Sequence, residues 1–213
     1  MTRRTQRVVK VLAFLGALIP LVLLIQAFVS GELLLTEPVK NIQHRTGIAA
    51  LILLLVTLTA TPLRRLTGWN DAIKFRRMLG LFAFFYASLH VFSYFVFDQE
   101  LSPTAIAADV VEHPWVLLGL TAFVLLIPLA VTSTTGWIRR LGGQRWQRLH
   151  QLIYVSAAAA VLHFLWLVKL DKREPVIYAI VLIALLSARL AYLRRERRHR
   201  AKRPPGRVAA RTA

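Results

Sequence analysis

Long apolar blocks, separated by short polar connections, run the length of the chain. Six of them approach the length a membrane crossing needs: Lys10–Val29, Thr46–Leu63, Arg77–Phe97, Pro114–Thr135, Arg148–Val168 and Glu174–Leu193. A helix rises about 1.5 Å per residue, so roughly 20 residues cross a hydrocarbon core roughly 30 Å thick. The pattern predicts an all-α, polytopic bundle of about six transmembrane helices. The longest connection, Asp98–His113, contains Pro103–Val111, which is expected to form a short interfacial helix beginning from Ser102. No linker divides the blocks, so residues 1–193 read as one membrane domain. Residues 194–213 read as a basic tail that extends the last helix briefly and then becomes disordered around Pro204-Pro205-Gly206.

Composition agrees with the pattern. The chain is 56% hydrophobic over 213 residues, more than a soluble domain of this length needs for its core. The net charge of +18 would suit nucleic acid, but its distribution points elsewhere. Arg3, Arg4, Arg7 and Lys10, then Arg64, Arg65, Lys74, Arg76 and Arg77, then Arg139, Arg140, Arg145 and Arg148, then the tail, all fall at alternate ends of the apolar blocks. The other ends hold Glu32, Glu37, Asp98, Glu100, Asp109, Glu112, Asp171 and Glu174. Short loops rich in Lys and Arg stay in the cytoplasm, so membrane topology accounts for the charge and both termini are expected inside. Trp69, Trp137 and Trp146 near one interface, with Trp115 and Trp166 near the other, read as an aromatic belt. Thr2-Arg3-Arg4 before an apolar stretch loosely resembles an export signal. The stretch is too long for a signal core and lacks a clear small-residue cleavage site near Ser30-Gly31, so it reads as a retained first span. With no cysteine, disulfides, iron–sulfur ligation and covalent c-type haem attachment are excluded.

No Asp or Glu falls in the interior of a predicted span, which argues against a proton relay or a cation-coupled transporter. The polar residues that remain there are histidines: His90 in the third block, His150 and His163 in the fifth. A lone intramembrane histidine is often just a hydrogen-bonded core residue. Two at one depth on separate helices suit an axial pair on haem iron. His90 lies roughly 20 Å and His163 roughly 22 Å from the basic ends of their spans, which run in the same direction. His150 lies only about 3 Å into its span and is a candidate ligand for a second haem about 20 Å below the first, with no evident partner. The 13 residues between His150 and His163 turn a straight helix by about 1300°, leaving the two side chains roughly 140° apart. They share a face only if the helix is distorted. His44, at the start of the second block, is a candidate for contact with haem propionates or a redox partner, or simply a helix start. His113 reads as a helix entry and His199 as a solvated tail residue. Thr132-Ser133-Thr134-Thr135-Gly136 reads as a helix end; with Arg139, Arg140 and Arg145 nearby it is also a candidate seat for an anionic flavin phosphate.

Several motifs carry a resemblance over nearly the whole chain except the tail. They are Glu37-Pro38-Val39-Lys40-Asn41-Ile42-Gln43-His44-Arg45-Thr46-Gly47, Thr61-Pro62-Leu63-Arg64, Arg76-Arg77-Met78-Leu79-Gly80-Leu81, Leu89-His90 with Ser93-Tyr94, Thr132-Ser133-Thr134, Arg145-Trp146-Gln147-Arg148-Leu149-His150, and His163-Phe164-Leu165-Trp166 followed by Lys169. With these the chain resembles the MsrQ (YedZ) family, within the ferric reductase-like transmembrane group. The resemblance implies a haem b protein of the bacterial inner membrane. It implies electron delivery to a periplasmic molybdopterin methionine sulfoxide reductase that repairs oxidised envelope proteins. It implies a donor that is a cytoplasmic flavin reductase or the quinone pool, and His90, His150 and His163 as the important histidines. An FMN is also associated with the family, although no compact flavin motif stands in this sequence.

Two other readings compete. A free-standing ferric reductase handing electrons to iron or oxygen usually adds a cytoplasmic flavin and nicotinamide domain, for which the tail is too short. A non-redox scaffold or transporter would show a carboxylate-bearing stripe through its spans, and none is found.

Overall fold

The computed structural model describes residues 3–201 except 36 and 70. The helices are α1 (Arg3–Val29), α2 (Glu32–Leu35), α3 (Pro38–Thr67), α4 (Ala72–Ser93, prolonged by a π-helical turn at Tyr94–Asp98), α5 (Pro103–Glu112), α6 (Pro114–Val131), α7 (Thr135–Leu141), α8 (Gly143–Leu149), α9 (Leu152–Leu167) and α10 (Arg173–Ala201). Six helical stretches are long and apolar enough to cross a membrane, among them a joined stretch from α8 through α9. The all-α, six-span expectation is met.

The boundaries differ where local chemistry intervenes. The second span begins at Pro38, two turns earlier than hydropathy indicates, because proline suits the first helical turn and the polar residues Lys40–Arg45 simply prolong the helix toward the interface. It ends where Gly68 takes the left-handed conformation, φ 70°. The fourth span stops at Val131; the Thr132 hydroxyl turns back to the Pro128 carbonyl at 2.6 Å, and Thr134 then caps α7. The fifth span is broken at His150 and Gln151, between α8 and α9. The interfacial helix is present as α5, with the Ser102 hydroxyl accepting from the Ala105 amide. The last helix continues to Ala201, further than expected, and the disorder expected for the tail falls on residues 202–213, outside the described residues.

Two helix pairs make the centre: α3 packs along α4, and α6 along α9. Between membrane helices, close packing and interhelical hydrogen bonds hold the bundle, so small residues mark the contacts. Ser156 and Ala157 on α9 are fully buried, and the Ser156 hydroxyl donates to the Ala122 carbonyl of α6 at 2.8 Å. The buried Thr46 and Thr57 satisfy themselves within their helix, donating to the Ile42 carbonyl at 2.6 Å and the Leu53 carbonyl at 2.8 Å. The α4 residue Tyr86 reaches into α1 beside Pro20. Its hydroxyl donates to the Ala17 carbonyl at 2.7 Å and accepts from the Leu21 amide at 3.1 Å. It stands between the two groups that would otherwise bond each other one turn apart, a side-chain insertion typical of bent helices. The outer faces of α1 and α10 leave large apolar side chains such as Leu12, Phe28, Ile177 and Ile183 exposed, as lipid-facing surfaces do.

Most acidic side chains gather at one end of the spans and the arginine cluster at the other, with Asp71 an acid at the basic end, paired with Lys74. Near the start of α3, Arg45 pairs with Glu32 at 2.8 Å and His44 lies 4.0 Å from Glu174. At the other end Arg64, Arg65, Arg76, Arg77 and Arg189 line one cavity.

Candidate functional site

Four helices build the site near the acidic end. His90 comes from α4 and His163 from α9; their ring centres are 6.3 Å apart with planes at 76°. Each ring lies against a neighbouring helix at a glycine. A Cβ on Gly47 of α3 would be 3.1 Å from Nδ1 of His90, and a Cβ on Gly119 of α6 would be 3.0 Å from Nδ1 of His163. One turn before each glycine, a main-chain carbonyl takes the ring's hydrogen bond: Gln43 from His90 Nδ1 at 2.9 Å, Trp115 from His163 Nδ1 at 2.6 Å. A carbonyl only accepts, so Nδ1 carries the hydrogen in both rings and Nε2 keeps its lone pair. Metal-binding histidines are oriented in this manner.

His90 and His163 would suit the iron of a haem. Imidazole nitrogens bind metals at roughly 2 Å, and the ring centre lies about 1.2 Å further, so two rings sharing one iron would stand about 6.4 Å apart. The observed 6.3 Å is close to that. Among the described residues no three His, Cys, Asp or Glu side chains converge on a metal position. A bare ion would find two donors here, whereas a macrocycle that brings four nitrogens of its own needs only these two. Space and polarity also fit. Both histidines line a cavity of about 420 Å³, walled by Leu51, Leu54, Phe123, Leu126 and Phe164, with Lys40, His44 and Asp98 also on its lining. A second hollow of about 250 Å³ shares the histidine pair and opens toward Tyr94, Asp109 and His113.

His150 stands elsewhere. It ends α8, its ring stacks on Trp146 at 3.9 Å between centres, and its Nε2 lies 3.1 Å from the Thr132 hydroxyl. The Trp146 indole donates to the Thr132 carbonyl at 2.9 Å. His150 and Trp146 line the basic cavity of about 530 Å³ with the five arginines named above. The two large cavities share Leu54 and Leu126 in their walls and so abut through the apolar middle of the bundle. The break between α8 and α9 means that the straight-helix angle between His150 and His163 does not apply.

The structure therefore joins His90 to His163 and sets His150 apart. His44 lies within α3 on the first cavity. His113, expected only to enter a helix, holds Asp109 at 2.7 Å, and Asp109 also receives the Tyr94 hydroxyl at 2.6 Å. Asp98, just past the expected end of the third span, lines both hollows at the histidine pair. Sequence reasoning missed the two glycines and the double use of Gln43. Glycine in an apolar helix was the available signal, since it is disfavoured there unless something approaches closely. Trp146 was read as belt and proves to be the stacking partner of His150.

Residues 46–161 match the family model described as ferric reductase like transmembrane component. Three similar proteins each carry the name protein-methionine-sulfoxide reductase heme-binding subunit MsrQ. That of Xanthomonas campestris pv. campestris is 52% identical over 172 residues, 79% of this chain and 78% of the relative. That of Xanthomonas oryzae pv. oryzae is 47% identical over 205 residues, 93% of this chain and 94% of the relative. That of Rhodospirillum rubrum is 45% identical over 192 residues, 90% of this chain and 92% of the relative. Similarity of this depth along almost all of a six-span helical bundle places the chain in the MsrQ family, within the ferric reductase-like transmembrane group.

Proposed function

We propose that this chain is a haem b subunit that carries electrons across the bacterial inner membrane to a periplasmic molybdopterin methionine sulfoxide reductase. The relatives' shared name supports haem binding and a reductase partner. The observation that carries the reading is the histidine pair, 6.3 Å apart and oriented by two main-chain carbonyls. Haem, when bound, supplies a one-electron iron couple. The chain's own part is structural: it presents two neutral imidazoles, keeps their Nδ1 hydrogens engaged, and excludes water with the apolar walls of α3, α6 and α9. The sulfoxide chemistry belongs to the partner.

The basic end faces the cytoplasm in this reading, with both termini there, residues 1–193 forming the membrane domain and 194–213 a basic tail near the inner leaflet. A cytoplasmic flavin reductase or quinone donates at that end, and the partner docks at the acidic end. A second cofactor, a haem on His150 or an FMN, is assigned to the basic cavity, where five guanidiniums suit carboxylates or a phosphate.

A reduced-minus-oxidised visible spectrum of purified protein, with pyridine haemochrome quantitation and flavin extraction, tests all of this. The expected result is a low-spin b-type signal that is lost in His90→Ala and in His163→Ala. His150→Ala should lower the haem count or the flavin content while leaving that signal. Folded protein without haem, after expression with ample haem supply, would refute the proposal.

A further inference from the structure

One buried group in the histidine cleft lacks a partner. The side-chain nitrogen of Gln43, Nε2, is shielded from solvent and makes no hydrogen bond. An amide left so costs on the order of 1–3 kcal/mol, so this one calls for a partner that the protein itself does not supply. Gln43 lines both hollows around His90 and His163. Its backbone carbonyl already holds His90, so the side chain's position relative to that ring is fixed by the same residue.

Gln43 is also one step in a stripe. Lys40, Gln43, His44 and Gly47 follow the three- and four-residue spacing of one helix face, and all four line the larger cavity; Leu51 and Leu54 continue the face deeper. The stripe is therefore polar near the acidic end and apolar beside the ring positions. A haem has the same polarity, an apolar macrocycle with two carboxylates on one edge. The competing polar wall is less suited to carboxylates: Asp98 borders both hollows, but that wall adds Asp109 and has no lysine among its described residues. Among the described residues, Lys40 is the only lysine or arginine on the larger cavity's lining.

We propose that Lys40, Gln43 and His44 form the edge that receives the haem carboxylates, with the Gln43 amide as the central donor. The inference rests on the haem reading above. Lys40 and His44 now face Glu37 at 2.7 Å and Glu174 at 4.0 Å, exposed pairs that hold little energy and are free to re-pair with an arriving carboxylate. These three are positioning residues; the iron is held by others. A donor or cation at a carboxylate lowers the negative potential felt at the iron and so favours the reduced form.

The test is equilibrium redox titration of the haem-loaded protein with Gln43→Leu, Gln43→Glu and Lys40→Gln. Gln43→Leu removes the amide and retains the main-chain carbonyl that anchors His90. Each variant should keep the low-spin spectrum and shift the midpoint potential to more negative values, with Gln43→Glu the largest. The same proteins are then loaded with the dimethyl ester of the haem, whose side chains are uncharged. The Gln43→Leu difference, which involves no change of protein charge, should collapse, and the Lys40→Gln difference should shrink to the part that its own charge exerts on the iron. Unchanged potentials with ordinary haem, or Gln43→Leu and Lys40→Gln shifts of undiminished size with the ester, would overturn the assignment. If a Gln43 variant does not fold, Lys40→Gln at its exposed position decides the matter by the same comparison. Failure of the wild type to take up haem at all would instead bring down the haem reading itself.

Discussion

Gly119 stands so close to His163 that a methyl group in its place would lie 3.0 Å from two atoms of the imidazole. Gly47 stands to His90 in the same way, at 3.1 Å. Alanine in an exposed helix is better than glycine by about 1 kcal/mol, whereas forcing an extra methyl into a packed contact costs about 1–3 kcal/mol. Gly119→Ala and Gly47→Ala should therefore leave the protein folded but displace the ring. The expected readout is a several-fold lower haem-to-protein ratio, or a shift from low-spin to high-spin spectrum. Full low-spin haem in both variants would show that the glycines do not seat the rings.

Tyr86 ties α4 to α1 beside Pro20 through one hydroxyl that both donates and accepts. Tyr86→Phe should cost about 1 kcal/mol, a modest amount because the Ala17 carbonyl and Leu21 amide can then approach each other. Tyr86→Ala, which also empties a buried site, should cost about 3–5 kcal/mol. Thermal unfolding in detergent separates the two. Equal losses would mean that the ring's packing contributes nothing beyond the hydroxyl.

Asp71 joins α1 to the start of α4, accepting from Gln6 at 2.9 Å and pairing with Lys74 at 2.7 Å. The Lys74 hydrogen bond, ahead of an opposing desolvation, holds its carboxyl below the ordinary value. A lowered folded-state value gives stability that is present above the unfolded value of about 3.9 and is lost as pH falls through the folded one. Thermal stability of wild type relative to Asp71→Asn should accordingly shrink below about pH 4 and stay constant above about pH 5. A gap that widens on acidification would reverse the sign and refute the pairing.

Thr132 and His150 form the far cluster, separated from the histidine pair by apolar wall. Thr132→Val should leave the low-spin spectrum of the His90–His163 site unchanged and lower stability by about 1 kcal/mol. Loss of that spectrum would mean that the two ends are one cooperative site.

Much of this was readable in the chain. Block length gave the six spans because hydrocarbon thickness admits few alternatives, and proline or serine before helical runs marked the starts of α5 and α6. Depth arithmetic brought His90 and His163 to one level because their helices run in the same direction. What stayed hidden depends on azimuth, which neither hydropathy nor depth reports. The break at His150, the turn of α3 that puts Gln43 and Gly47 beside His90, and the stacking of Trp146 all follow from how helices rotate against one another. The π turn at Tyr94–Asp98 carries Asp98 onto the cleft, and no periodicity in the sequence foretells it.

The glycine and the carbonyl one turn before it occur twice, on α3 and on α6, each seating one imidazole. Both components are main chain. Ring orientation is thus insulated from side-chain drift at positions 43 and 115, which leaves those side chains open to natural variation or redesign without re-aiming the histidines. The unit needs only a helix, one glycine and a neighbouring histidine at the right height, so it is portable to other bundles as a building block for paired-imidazole sites.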